Sequence, residues 1–132
     1  MKNVKTILTI VALFIGITAF AQDHAKVIAL VTKASWCSTC KANDARMGKE
    51  VFSAYKTGEL KIVANDVTDD ASKKLCKKAL EEAGVAKIAA NSKVTGMITL
   101  IDAKSKKVIS TISVGKSTEE IKLAIDATLK KS

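Results

Sequence analysis

Six consecutive residues, Trp36-Cys37-Ser38-Thr39-Cys40-Lys41, carry the side chains best suited to chemistry in this chain. Two cysteines separated by two residues can close a small disulfide ring at the first turn of a helix. There the free N–H groups and the positive end of the helix dipole stabilise a thiolate. The thiolate is the species that attacks a disulfide, so a lowered thiol pKa makes such a pair reactive. Cys37, the outer sulfur, would be the nucleophile. Cys40, one turn further in, would attack Cys37 to release a mixed disulfide. Lys33 and Lys41 bring positive charge close in sequence and push the thiol pKa in the same direction. Two other readings of the pair stand beside this one. It could be a structural disulfide without turnover, or it could hold a metal. Zinc takes four ligands, and only Cys76 and His24 would remain to complete the set. Cu(I) accepts two or three soft thiolates, so Cys37 and Cys40 could hold it alone. Met47 and Met97 read as core residues.

The pair needs a compartment where a disulfide persists, and the first residues supply one. Met1 to Lys5 is a short basic start, Thr6 to Phe20 is apolar, and Ala19-Phe20-Ala21 offers the small residues that signal peptidase reads. The apolar run falls short of the roughly 20 residues needed to span a bilayer. Residues 1–21 are therefore expected to be a cleaved signal peptide, and 22–132 one domain that is periplasmic or secreted. Lys2 and Lys5 leave with the leader, taking two of the nine net positive charges. The remaining positive charge is almost all lysine, Arg46 being the one arginine, and aromatic residues make up 4%. Nucleic-acid sites lean on arginine and stacking rings, so no nucleic-acid partner is expected.

The elements that must position the cysteines follow from periodicity. Val27 to Val31 is a continuous apolar run of the kind a strand buried on both faces carries. Ser38 to about Arg46 forms a first helix. It breaks near Met47-Gly48, and Val51, Phe52 and Tyr55 pack a second short helical piece. Leu60 to Val67 is a second strand. Thr68-Asp69-Asp70 opens a helix that Gly84 stops, with Leu75, Cys76, Ala79, Leu80 and Ala83 as its inward stripe. Cys76 is thus a core residue. Val85 to Lys93 is ambiguous and reads as an irregular helical turn and a loop. Met97 to Ile101 and Val108 to Val114 form an antiparallel hairpin. Ser117-Thr118-Glu119-Glu120 opens the last helix with a capping box, and Ile121, Leu123, Ala124, Ile125, Thr128 and Leu129 give its apolar face. The sum is an α/β domain with a mixed four-stranded sheet and helices on both faces.

On these residues the chain resembles the thioredoxin superfamily. Trp36, Cys37, Cys40 and Lys41 match its Trp-Cys-x-x-Cys motif position for position, and the element order is that of the minimal thioredoxin-like fold. Val63-Ala64-Asn65-Asp66-Val67-Thr68 looks like the second strand of the periplasmic branch, including the domains of membrane electron carriers. Gly115 sits where the family carries a glycine after the hairpin. The resemblance also makes three departures visible. The family's buried aspartate, six residues before the first cysteine, is Val31 here. The intervening dipeptide is Ser-Thr. The cis-proline that faces the cysteine pair is replaced by Ile98 within Gly96-Met97-Ile98-Thr99. The chain has no proline at all. A cis bond before a non-proline residue costs about 2.5–4 kcal/mol, so the Met97–Ile98 bond is expected to be trans.

The resemblance implies a thiol–disulfide oxidoreductase with Cys37 and Cys40 catalytic. Trp36, Met97 and Ile98 would line the substrate groove. It would work without a bound cofactor, as a monomer acting on protein thiols and disulfides. The periplasmic likeness favours a reductase supplied by a membrane electron-transfer protein. The alternative is a thioredoxin-fold binding module that holds Cu(I) or a partner protein without turnover, which the missing aspartate and proline equivalents support.

Overall fold

The computed structural model describes residues 25–132, so the expected leader and His24 lie outside the described residues. β1 (Val27–Lys33) runs into α1 (Ser38–Arg46), which continues through a π-helical turn (Met47–Val51) and a 3-10 turn (Phe52–Ala54). β2 (Leu60–Asp66), α2 (Asp70–Glu82), α3 (Ala86–Asn91), the hairpin of β3 (Met97–Asp102) and β4 (Val108–Ser113), and α4 (Thr118–Lys131) follow. No helix among the described residues is long and apolar enough to cross a membrane.

The sheet order is β2-β1-β3-β4, with β1 parallel to β2 and antiparallel to β3. β1 therefore lies between two strands, and its alternating side chains feed two separate cores. Val27 and Ala29 pack with Ile98, Leu100, Val51 and the α4 residues Ile121 and Ile125. Ile28 and Leu30 pack with Val63 of β2, Leu80 of α2 and Ala89 of α3 on the opposite face. That double burial is why this segment has no polar alternation.

The break expected at Met47-Gly48 takes the form of the π-helical turn. It buries Met47 and Val51 while Gly48 faces open space. An extra residue per turn is what realigns an apolar stripe after α1, whose first turns carry little apolar surface. Val85 to Lys93 holds the expected helical turn, as the short helix α3, followed by a loop.

Two expected apolar faces are narrower than their sequences suggested. On α2 the inward stripe is Cys76, Leu80 and Ala83, while Leu75 is 85% exposed and Ala79 also faces outward. On α4 Ile121, Ile125 and Thr128 are buried and Ala124 and Leu129 pack half-buried against the first core, while Leu123 is exposed. In both helices one turn-spaced row touches the sheet, and the flanking apolar residue falls outside it. Cys76 is half-buried, packed against the second core rather than enclosed by it.

Candidate functional site

The cysteine pair sits where β1 hands over to α1. Cys37 is the N-cap of α1, with extended backbone, and its Sγ accepts the Cys40 N–H at 3.2 Å. The two cysteines are disulfide-bonded, with their Cα atoms 5.3 Å apart. Both sulfurs are largely enclosed, in a small cluster with Ala34 and, at its edge, Val67. Cys37, at 7%, is the more accessible of the two. A capping sulfur that already accepts a helix N–H keeps that donor when reduced, and the donor stabilises the thiolate.

The wall facing Cys37 comes from the turn before β3. Gly96 is buried, with φ of +78°, and a Cβ at this position would sit 3.7 Å from Cys37 Sγ and 3.7 Å from Thr39. Its N–H donates to Thr32 O at 2.8 Å, and its carbonyl accepts from Val114 N–H at 2.8 Å. The turn is thus pinned to the ends of both β1 and β4. Across the pair, Gly115 comes within 3.4 Å of the Thr39 methyl, measured from its would-be Cβ. Gly96 thus brings backbone against Cys37, while Gly115 does so against Thr39 between the two cysteines.

Ile98, by contrast, is fully buried in the first core, so it does not line an open groove. Strand alternation puts it on Leu100's side of β3, and the position against Cys37 is taken by Gly96, in the turn ahead of the strand. Met97 is half-buried at the head of β3. All peptide bonds of the described residues are trans, Met97–Ile98 included. Trp36 is 63% exposed beside the pair. No group of three or more His, Cys, Asp or Glu side chains converges among the described residues, so a Cu(I) site would rest on Cys37 and Cys40.

Three supports escaped the sequence reading. Arg46, at the end of α1, donates to Val114 O at 2.6 Å, to Lys116 O at 2.9 Å and to Thr118 Oγ1 at 2.9 Å, and is itself held by Asn43. It fixes the loop that carries Gly115. Asn65 is buried under the β1 end and donates to Thr32 Oγ1 and to Ala89 O. Thr68 Oγ1 accepts from Ser35 N–H at 2.9 Å and tethers the loop ahead of Trp36. The one signal that pointed to Arg46 was its singularity among so many lysines. The glycine preceding β3 was the signal for Gly96.

This architecture is shared with solved structures. Malaria-parasite thioredoxin-2, a component of that parasite's protein secretion machinery, superposes with a TM-score of 0.52 at 17% identity, covering 77% of this chain and 82% of its own. A candidate protein disulfide isomerase from Bacteroides thetaiotaomicron gives 0.54 at 21%, covering 80% and 74%. The DsbH oxidoreductase gives 0.52 at 15%, covering 80% and 74%. No protein-family model and no curated protein matches the sequence. The chain has the thioredoxin-like fold: a mixed four-stranded sheet, helices on both faces, and a Cys-x-x-Cys disulfide at the head of its first helix.

Proposed function

We propose that the protein is an extracytoplasmic thiol–disulfide oxidoreductase acting on protein disulfides as a reductase. The observation that carries this reading is Cys37 at the N-cap of α1, its sulfur accepting the Cys40 N–H and faced by the side-chain-free Gly96. The Cys37 thiolate attacks one sulfur of a substrate disulfide. One substrate thiolate leaves, and a Cys37–substrate bond forms. The Cys40 thiolate then attacks Cys37 Sγ, forming the Cys37–Cys40 bond and releasing the second substrate thiolate. Two electrons pass from the pair to the substrate. A donor dithiol, which we assign to a membrane electron-transfer protein, restores them by the same exchange in reverse. The leader-like residues 1–21 support a periplasmic or secreted location, and the protein acts as a monomer.

Cys40→Ser tests this reading. It removes the resolving sulfur, so mixed disulfides between Cys37 and its partners should accumulate in the native compartment. Their identities reveal the direction of electron flow. Absence of any Cys37 adduct, with Cys40→Ser folded, would sink the assignment. The Cu(I)-binding alternative predicts instead a reduced protein that withdraws Cu(I) from a competing chelator and turns over no disulfide.

A further inference from the structure

Beside the cysteine pair, on the α2–α3 side of the sheet, lies a cleft of 630 Å³. Its floor is apolar, made by Trp36, Val67, Leu80 and Ala89, with buried Asn65 beneath. Its rim is cationic: Lys73, Lys74 and Lys77 from α2 and Lys93 from beyond α3. One carboxylate, Glu81, lies on the cleft and is 3.9 Å from Lys77, and Lys73 is 4.0 Å from Asp70. Lys74 and Lys93 have no carboxylate within ion-pair distance among the described residues. Trp36 belongs to the cleft and to the cysteine motif at once, so a chain lying in the cleft passes next to Cys37.

We infer that this cleft docks an acidic, apolar-anchored peptide segment of the protein that exchanges disulfides with Cys37. An apolar floor takes one or two hydrophobic side chains, as concave sites do. A rim of four lysines against one already engaged glutamate favours flanking aspartate or glutamate, by charge complementarity that steers the encounter. The inference rests on the thiol–disulfide reading for the identity of the partner, and the binding itself can be measured without any redox step.

Trp36 is the chain's one tryptophan, so its emission reports the cleft directly. The probe is a synthetic cysteine-free peptide alternating Glu with Leu and Phe, titrated into the oxidised protein at low salt. The expected result is a saturable change in Trp36 emission whose affinity falls about tenfold in Lys74→Glu/Lys93→Glu and falls again with added salt. A lysine-for-glutamate peptide should bind far more weakly. No emission change, equal binding of the basic peptide, or equal displacement by a single-stranded oligonucleotide of the same charge would each overturn the proposal. In a parallel exchange assay, the rate on an acidic peptide disulfide relative to hydroxyethyl disulfide should fall about tenfold in the same double variant. An unchanged ratio counts against the cleft. Loss of turnover on both disulfides in the wild-type protein counts against the redox reading, while the emission titration still decides whether the cleft binds acidic peptides.

Discussion

Val31 and Ile98 face each other across the β1–β3 register, and both pack into the same apolar core. These are the two positions at which the thioredoxin resemblance calls for a buried aspartate and a proline. Their replacement by a hydrophobic pair removes the carboxylate that the resemblance would place there, and the apolar residues clustered with Cys40 are Ala34, Cys37 and Val67. Without that carboxylate the Cys40 proton is expected to leave to solvent. The rate at which Cys40 resolves a mixed disulfide should then climb nearly tenfold per pH unit for as long as its thiol stays mostly protonated. Val31→Asp should flatten that profile. A wild-type resolution rate that is level between about pH 6 and 8 would contradict the absence of a buried base.

Cys37 should behave oppositely. Its place at the head of α1 predicts a thiol pKa below the free-cysteine value of about 8.5, read by thiolate absorbance in the reduced protein. Cys37→Ser should abolish exchange. A titration midpoint at or above the free value would remove the basis for calling it the nucleophile.

Gly96 cannot be changed without cost. A left-handed φ strains any side chain by roughly 1–2 kcal/mol, and a Cβ there would already touch Cys37 Sγ and Thr39 at ordinary contact distance, leaving the bulk beyond it to crowd them. Gly96→Val should lower stability by at least that amount and slow attack by Cys37 on a bulky disulfide more than on a small one. Equal slowing on both would mean that the turn does not shape the substrate's approach.

Ile98→Pro is expected to fail rather than to restore a family-like groove. β3 lies between β1 and β4, so its backbone donors are used in the sheet, and a proline there removes one and empties a core site. The loss should be about 3 kcal/mol or more by denaturant unfolding. A variant as stable as the wild type would show that β3 adjusts freely.

Acid should weaken the fold from its turns. Asp69, Asp102 and Glu120 are all held below the usual carboxylate range, first by backbone N–H donors at Ser72, Ser105 and Ser117 and then by those residues' hydroxyls. With folded pKa values below the unfolded ones, the unfolded chain binds more protons in that window. Stability is then complete above about pH 5 and falls as pH drops through the folded values. The urea midpoint measured from neutral to acidic pH should follow this curve, less steeply in Asp69→Asn.

How much of this was legible in the sequence depends on the reach of each contact. The Cys-x-x-Cys ring, the helix Ser38–Arg46 and the capping box at Ser117 involve neighbours within a turn or two, and the structure has all of them. Leu75 and Leu123 were misplaced because periodicity marks an apolar arc without saying which edge of it meets the sheet. Ile98 was assigned to the groove by its place in the motif, while strand alternation sends its side chain into the core. Arg46 stood out only as the one arginine, and its role could not be read, since its partners Val114, Lys116 and Thr118 lie 68 to 72 residues away.

The same separation governs when the site exists. Gly96 reaches Cys37 only once β3 has paired with β1, and the turn is secured only when Val114, beyond β4, donates to its carbonyl. Such non-local pairing is slow to form compared with the helical turn that holds the two cysteines. The dithiol ring thus rests on neighbours within one helical turn, while the screen over it rests on the longest-range contacts of the sheet, so loss of the β3–β4 hairpin would strip the screen and leave the ring in place.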